Sequence, residues 1–280
     1  MFPILRMCQV LEVSENGYYH WRNRGESRRK REDKQLAECI EDAYHQNRGL
    51  YGSPRIHAEL KAQGISCGRK RVARLMQEKQ LSARRKKRKA RTTNSHYHFP
   101  LAPNLLEQDF TADAPNKKWM ADLTFIETRE GWLSLAGILD AYSRKIVGWS
   151  MSEHHDAELV TAVLRMALLQ QRPGAGLIHH SDRGSEYANT SYQMLLHEHT
   201  IQVGMSKKGD YYDNAMIESF WRKLKEECCG QSIFFSRSEA KSAIFEYIEV
   251  FYQRKRRHSS LAYLSPVDYE EQGKQKKNIF

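Results

Sequence analysis

The sequence lacks the features that would place the protein in a membrane or hold it together with disulfide bonds. Its 280 residues contain no apolar run of about 18 residues, which excludes a membrane-spanning helix. No long apolar stretch with a small-residue cleavage site begins the chain, so no signal peptide is expected. The five cysteines are odd in number and none is spaced C-x-x-C, which argues against a disulfide framework or a zinc finger. We therefore expect a cytoplasmic protein, with no membrane partner.

Acidic residues are scarce in the first third of the chain. Residues 1–99 contain 23 Lys and Arg against 10 Asp and Glu, whereas the remainder contains 22 against 24. A positive field of this kind attracts a polyanion, and phosphate neutralisation supplies most of the sequence-independent affinity for nucleic acid. The asymmetry predicts a nucleic-acid partner; a basic surface that faces only solvent is the alternative.

Two short helices joined by a glycine-containing turn are predicted near the end of this basic third, after a longer polar helix from about Ser27 to Asn47. Pro54 suits the first turn of one short helix, Gly64 ends it, and Ser66 can cap the next. In the last helix the apolar residues face inward and the basic residues outward. The inward set is Val72, Leu75 and Met76, and the outward set is Arg69, Lys70, Arg71 and Arg74. This pattern favours a DNA-binding helix-turn-helix, with an ordinary helical hairpin as the alternative.

A strongly basic segment follows the helices. Residues 84–91 read RRKKRKAR and are too highly charged for a core. They predict a linker over residues 84–115 that contacts DNA phosphates, although a linker that only faces solvent has the same pattern. The expected contacts are Arg84, Arg85, Lys86 and Lys87. The helical DNA-binding region before the linker is placed at residues 1–83.

Residues 116–229 have the pattern of an α/β catalytic core. Three apolar strands joined by short turns indicate an antiparallel meander, and helix, strand, helix, strand and helix follow. This order is that of the ribonuclease H-like fold, with a five-stranded mixed sheet. Trp119 and Trp132 are interpreted as core residues rather than platforms for base stacking.

The last zone, residues 230–280, is predicted to be a helical extension that packs on the core. An amphipathic helix is expected from Glu239 to Tyr252, with a turn at Pro266 and a frayed tail from Gly273. For Arg256, a DNA contact and a structural role are equally open.

Three carboxylates in the second zone are placed for chemistry. Asp122 lies within an apolar strand, Asp182 follows a short apolar strand, and Glu218 lies one helical turn after Asn214. A carboxylate in an apolar strand is costly unless it binds a cation or a partner. Carboxylates gathered at one point suit Mg²⁺, and two such ions can activate an attacking oxygen and stabilise a leaving one in phosphodiester chemistry. Taken singly, each carboxylate has the alternative of a helix cap or an ion pair.

Four further residues are expected to support these carboxylates. Arg222 and Lys225 follow Glu218 by four and seven residues, which places them on the same helix face, where both can hold phosphates. Asn214 opens that helix and is expected to position its first turn. His180 precedes Asp182 and either orients its carboxylate, contacts a phosphate, or is simply packed at the end of the strand.

Four sequence blocks carry a resemblance to a known family: KWMADLTFIET, IHHSDRGSEYANTSY, GDYYDNAMIESFWRKLKEE and YQRKRRHSSLAYLSP. They resemble the signature blocks of bacterial insertion-sequence transposases, specifically the second-frame protein (OrfB) of the insertion-sequence-three family. The catalytic cores of that family are similar to those of retroviral integrases. Asp182 and Glu218 have 35 residues between them, the spacing that the family shows for its second Asp and its Glu.

The resemblance implies an Asp-Asp-Glu triad of Asp122, Asp182 and Glu218, with Lys225 as a contact to substrate DNA. It implies that the triad holds two Mg²⁺ ions, with Mn²⁺ as a substitute. One strand is then cut at an element end, and the freed 3′-hydroxyl attacks a second phosphodiester. Joining two ends implies a homo-oligomer on double-stranded DNA, and the family adds the upstream-frame protein as a fusion or partner. For such a DNA-acting protein, the resemblance implies a location in the bacterial cytoplasm, associated with the nucleoid.

Two other functions remain open from the residues. One is a ribonuclease H-like nuclease or resolvase that cuts without joining. The other is a DNA-binding regulator whose core is inactive, although an intact triad at the family's spacing argues against it.

Overall fold

The structure is a computed structural model that describes residues 3–83, 102–206, 214–230 and 233–277. The chain divides into two units, Met1–Arg84 and Arg85–Phe280. Within the described ranges, no helix is long and apolar enough to cross a membrane.

The described part of the first unit is helical. Its helices are α1 (Ile4–Val10), α2 (Glu15–Arg22), α3 (Arg28–Gln46), α4 (Ser53–Ala62) and α5 (Arg69–Glu78). The Ser27 hydroxyl accepts a hydrogen bond from the backbone N–H of Lys30 and caps α3. Helices α4 and α5 pack on α3 and on each other. The residues buried between them include Leu36, Ile40, Ile56, Leu60, Val72, Leu75 and Met76.

The turn between α4 and α5 follows the prediction except at its second cap. Pro54 lies in the first turn of α4, and Gly64 follows the helix with a φ of +80°, a conformation that glycine adopts at little cost. The N-cap of α5 is Gly68, so the predicted Ser66 cap is wrong. The chain stays non-helical for two residues beyond Ser66, and α5 begins without a side-chain cap. The two helices and their turn form the helix-turn-helix of this unit.

A five-stranded mixed sheet lies at the centre of the second unit. Its strands are β1 (Lys118–Thr128), β2 (Gly131–Asp140), β3 (Ile146–Ser152), β4 (Ile178–Ser181) and β5 (Gln202–Met205). Their order across the sheet is β3-β2-β1-β4-β5. β1, β2 and β3 are antiparallel, whereas β4 runs parallel to β1 and β5 parallel to β4. The sheet confirms the predicted ribonuclease H-like α/β fold.

Helices cover both faces of this sheet. The helices of this unit, in its described residues, are α6 (Ala157–Gln171), α7 (Thr190–Glu198), α8 (Ala215–Glu227), α9 (Arg237–Phe245) and α10 (Pro266–Lys277), with a π-helix at Glu246–Tyr252 and a short 3-10 helix at Ser259–Leu261. Ala121 and Ile138 point into a core formed with α6 and α7. Successive strand residues alternate between faces, so Asp122 and its cross-strand partner Gly137 point to the other face. Helix α8 packs there, with the Trp221 ring against Gly137.

A buried ion pair holds the end of α8 against the C-terminal helices. Glu227, the last residue of α8, accepts hydrogen bonds from Arg256 Nε at 2.7 Å, from Arg256 Nη2 and from the Tyr247 hydroxyl at 2.9 Å. Arg256 is only 2% exposed. Burial lowers the pKa of Arg256, but the hydrogen bonds and the charge of Glu227 outweigh this effect and raise it overall. The geometry supports the structural role of Arg256.

Three predictions for this unit need correction. Trp119 is fully buried as predicted, but Trp132 is 57% exposed and is not a core residue. The helix predicted as one piece from Glu239 becomes a π-helix at Glu246. Pro266 begins α10, which passes through Gly273, so the predicted fraying there is wrong. The Pro266 ring suits the first position of a helix, where its missing N–H would have no partner within the helix.

Replacing Glu227 is expected to destabilise the second unit strongly. Glu227→Ala leaves the buried Arg256 guanidinium without its carboxylate, a loss of about 3–5 kcal/mol. Glu153→Ala is the matched control, because Glu153 is exposed and pairs with Arg237 at 3.0 Å; about 0–1 kcal/mol is expected for such a surface pair. Urea unfolding of the full chain measures both, and equal losses in the two variants would contradict this assignment.

The stability of this unit is expected to fall in mild acid because of His179. The side chain is fully buried, and its Nε2 is 2.9 Å from the Tyr192 hydroxyl. Burial, and to a smaller extent the neighbouring His180, lowers the pKa of His179 to about 3. Burying neutral His179 therefore adds to the free energy of unfolding, and this stabilisation is complete above the ordinary His pKa of about 6.5. It is lost as the pH falls toward 3, by up to about 1.4 kcal/mol per pH unit.

The measurement is urea unfolding between pH 7 and pH 4. His179→Gln should flatten the pH dependence in that window. The exposed His197, replaced in the same way, should leave it as in the wild type. An unchanged slope in His179→Gln would refute the assignment.

Candidate active site

The strand register brings Asp122 and Asp182 to the same level of the sheet. In the parallel pair of β1 and β4, Lys118 is opposite Ile178 and Met120 is opposite His180. Continued by two residues, this register places Asp122 beside Asp182, just beyond the end of β4. Adjacent strands lie about 4.8 Å apart, so the backbones of Asp122 and Asp182 are expected to be neighbours at the end of β4.

The buried hydroxyl of Tyr187 lies within the electrostatic influence of both carboxylates. Tyr187 is buried and lies in the segment that follows Asp182. Burial raises the pKa of its hydroxyl, and the negative charges of Asp122 and Asp182 both add to that rise. One side chain therefore experiences both carboxylates, which indicates a local negative field.

Helix α8 carries Glu218 to the same strand. Two hydrogen bonds connect α8 to β1: Asn214 Nδ2 donates to the carbonyl oxygen of Ala121 at 3.1 Å, and Trp221 Nε1 donates to Asp122 Oδ2 at 3.1 Å. Glu218 lies four residues after Asn214 and three before Trp221, so all three share one helix face. That face is directed toward β1 beside Asp122. Asn214 is the N-cap of α8 and makes no side-chain hydrogen bond to the first turn; its side chain instead holds the start of the helix to β1, and its predicted role in positioning that turn stays a prediction.

The end of β5 fixes the segment that bears Asp182. The backbone N–H of Ser206 donates to the Ser181 carbonyl at 3.1 Å, and Arg183 Nε donates to the Ser206 carbonyl at 2.7 Å. His180 is fully buried, with Nε2 3.1 Å from the Ser206 hydroxyl. Asp182 is exposed, and its Oδ1 accepts the N–H of Gly184 at 3.0 Å, which closes a tight turn after the strand. His180 therefore belongs to the packed support of this turn.

The three carboxylates lie on adjoining elements rather than in a closed ligand cage. Among the residues that the structure describes, no three His, Cys, Asp or Glu side chains are close enough together to hold a metal ion. Arg222 and Lys225 lie farther along α8, and the Arg222 side chain is exposed. The arrangement offers oxygen donors and a negative field beside a helix that carries basic residues.

Sequence reasoning missed Trp221, Gly137 and Tyr187. Trp221 stands three residues after Glu218, so helical periodicity alone places it on the face that carries the predicted ligand. Gly137 lies within a strand, where a glycine often marks a close approach of another group. No comparable signal identifies Tyr187.

The basic residues of α5 fall into two groups. Arg71 Nε and Arg74 Nη2 donate to the two carboxylate oxygens of Asp33 on α3, at 2.5 and 2.6 Å. These hydrogen bonds, first that of Arg74 and then that of Arg71, lower the pKa of Asp33. Arg69 and Lys70 are exposed at the start of α5. The predicted contacts Arg84, Arg85, Lys86 and Lys87 lie outside the described residues.

Family models match both units of the chain. Residues 30–89 match an HTH-like domain, and residues 112–210 and 218–273 match two models of an integrase core domain. The first match covers α3, α4 and α5, and the other two cover the sheet and the helices that carry the candidate site.

Relatives cover nearly the whole chain. It is 48% identical over 265 residues to the insertion element IS600 uncharacterized 31 kDa protein of Shigella sonnei, covering 95% of this chain and 97% of that protein. It is 39% identical over 271 residues to transposase InsF for insertion sequence IS3A of Escherichia coli (strain K12), covering 96% of this chain and 94% of that protein.

Solved structures give a more remote similarity. One is the simian T-cell lymphotropic virus intasome in complex with PP2A regulatory subunit B56 gamma, with a TM-score of 0.46 and 12% identity over 78% of this chain and 74% of that chain. Another is the catalytic core domain of BIV integrase, with a TM-score of 0.42 and 16% identity over 58% of this chain and 99% of that chain. The assignment depends on the sequence relatives: the chain belongs to the insertion-sequence-three (IS3) family of transposases, polynucleotidyl transferases that act in DNA transposition.

Proposed function

We propose that Asp122, Asp182 and Glu218 are the catalytic triad with which this transposase cuts and joins DNA strands. The observation that carries the proposal is the convergence of three elements. β1 and β4 bring the two aspartates level, and α8 is hydrogen-bonded to β1 on both sides of Glu218. Asp122 thus comes from β1, Asp182 from the end of β4, and Glu218 from α8.

The donor chemistry of this set fits Mg²⁺, and Mn²⁺ in its place. Carboxylate oxygens are the ligands that these hard cations take, and the negative field at Tyr187 favours a cation near both aspartates. Asp122, Asp182 and Glu218 would hold the metal once their side chains close around it, because no three such side chains among the described residues are near enough together in this structure. When bound, two Mg²⁺ ions supply activation of the attacking oxygen and stabilisation of the leaving oxygen.

The other residues of α8 hold the substrate in this proposal. Arg222 and Lys225 are cations one and two turns after Glu218, where they can pair with DNA phosphates. Water attacks the phosphorus of a phosphodiester at the element end, and the bond from that phosphorus to the 3′ oxygen breaks. The freed 3′-hydroxyl then attacks the phosphorus of a second phosphodiester, and the bond from that phosphorus to its own 3′ oxygen breaks, so one 3′-hydroxyl is released for the one consumed. No covalent bond between protein and DNA is needed.

DNA binding by the helix-turn-helix completes the proposed activity. Arg69 and Lys70 lie at the start of α5, the end from which a recognition helix contacts bases. Arg71 and Arg74 are bound to Asp33, so we propose that they brace α5 against α3 while adding charge near the DNA. The basic run beginning at Arg84 is proposed to contact phosphates.

The assembly and location of the protein are further parts of the proposal. Joining two DNA ends requires that both ends be held together, so we propose a homo-oligomer on double-stranded DNA. The upstream-frame protein is proposed as a fusion or partner. Nucleoid association follows from a DNA substrate.

Replacing Glu218 is expected to abolish strand cleavage. Glu218→Gln keeps the size and shape of the side chain but removes its charge, so the metal loses one ligand while DNA affinity changes little. Glu226→Gln, an exposed position on the same helix, is the matched control and should keep full activity. The assay follows Mg²⁺-dependent cleavage and joining of labelled DNA that carries the segments bordering the coding sequence, with and without the upstream-frame protein.

The products distinguish the alternative functions. Joined DNA with the wild type and none with Glu218→Gln supports the triad and the transposase activity together. Cleavage without joining in every combination would favour the nuclease alternative. A Glu218→Gln variant that still cuts would overturn the triad.

Substitutions in α5 are expected to show which basic residues contact DNA and which hold α5 against α3. Lys70→Ala should weaken DNA binding and reduce by about 1 the slope of log affinity against log salt, the effect of losing one phosphate contact. Arg71→Ala should in addition lower the stability of the first unit, because the Asp33 pair is lost. Fluorescence anisotropy across a salt series and hydrogen exchange of α3 and α5 measure the two effects. Unchanged exchange in Arg71→Ala would contradict the bracing role.

A further inference from the structure

We infer that Trp221 is a positioning residue for the metal-binding carboxylate of Asp122, and that Gly137 provides the space for it. The inference rests on the proposed function, because it concerns the same carboxylate. It adds two residues to the site that are neither acidic nor basic.

Trp221 reaches Asp122 from the covering helix. It is 5% exposed, and its indole N–H donates to Asp122 Oδ2 at 3.1 Å. The bond crosses from α8 to the central strand, over a sequence separation of 99 residues. Because Asp122 Oδ2 accepts the indole N–H, this hydrogen bond constrains the orientation of the Asp122 carboxylate.

Gly137 makes this approach possible. It is the cross-strand partner of Asp122 in the antiparallel pair of β1 and β2. A Cβ at Gly137 would lie 2.9 Å from Cη2 and 3.3 Å from Cζ2 of the Trp221 ring. Paired residues direct their side chains to the same face, so only glycine at this position leaves room for the ring beside Asp122.

An indole suits this role because it is a neutral donor. It can donate one hydrogen bond and cannot accept one. A Lys or Arg at the same place would orient the carboxylate but would also oppose a cation there by its charge. Trp221 fixes the direction of Asp122 and leaves its charge available to the metal. Groups that orient metal ligands in this way change metal affinity by about 10–100-fold when they are removed.

The test measures Mn²⁺ binding to the full chain without DNA, by electron paramagnetic resonance of free Mn²⁺. Trp221→Phe keeps an aromatic ring and removes the donor, so we expect its Kd for Mn²⁺ to rise about tenfold or more. Trp149→Phe is the matched control, because Trp149 Nε1 also donates to a carboxylate, Glu249 Oε1 at 2.8 Å, on another part of the sheet. Its Kd should stay at the wild-type value, and thermal unfolding is followed in parallel for both.

Gly137→Ala supplies a second variant by displacing the ring. We expect it to weaken Mn²⁺ binding in the same direction as Trp221→Phe. In the double variant the smaller Phe ring removes the clash, so its Kd should match that of Trp221→Phe alone. This non-additivity is the signature of direct coupling between positions 137 and 221.

The outcomes separate the inference from the proposed function. If Asp122→Asn loses Mn²⁺ and Trp221→Phe binds as the wild type does, the inference fails while the metal site stands. If Trp221→Phe and Trp149→Phe weaken binding equally, the effect is general packing and the inference also fails. If Asp122→Asn binds Mn²⁺ normally and still cuts DNA, the proposed triad itself is wrong.

Discussion

The position of α8 against β1 is the constraint on which the candidate site depends. Asp122 lies in β1 and Asp182 directly follows the adjacent strand β4, so the sheet positions both, whereas the position of Glu218 relative to them is set by α8. Three sets of hydrogen bonds hold this helix: Asn214 at its start, Trp221 along its length, and Glu227 at its end. The neutral bond of Asn214 contributes about 1 kcal/mol and the bond of Trp221 to a charged carboxylate about 1.5–3 kcal/mol, whereas breaking a buried ion pair costs about 3–5 kcal/mol. The end of α8 is therefore its energetic anchor, and the two weaker bonds set its alignment beside Asp122.

Much of the fold follows from the sequence because its elements are strongly patterned. The order of strands and helices identifies a mixed sheet, and Pro54 and Gly64 delimit α4. The errors occur where tertiary packing decides. Trp132 has the strand preference of a buried aromatic residue but lies near the turn between β1 and β2, where its ring is 57% exposed. Asp122 and Asp182 lie opposite each other only because of the register between β1 and β4, which is set by contacts distant in sequence.

Charge counting shows a similar limit in the first unit. The sequence predicts four outward basic residues on α5, but Arg71 and Arg74 are bound to Asp33, 38 and 41 residues away. Part of the local basic excess is thus balanced within the unit, and the same pairs hold α3 and α5 together. Formal charge remains a sound indication of a polyanionic partner. It does not tell which cations contact that partner, because ion pairs between helices are not visible in a linear sequence.

The surroundings of a carboxylate distinguish a structural acid from a candidate ligand. Asp140 ends β2 much as Asp182 follows β4, so the two have similar sequence contexts. Asp140 is fully buried and accepts the backbone N–H groups of Asn116, Tyr142 and Ser143 together with the Ser143 hydroxyl. Burial raises the pKa of Asp140, while most of these bonds act in the opposite direction. Its oxygens are used to close the turn between β2 and β3. Asp182 also closes a turn, because its Oδ1 accepts the N–H of Gly184, but it is exposed, so the two aspartates differ in burial rather than in whether they close a turn.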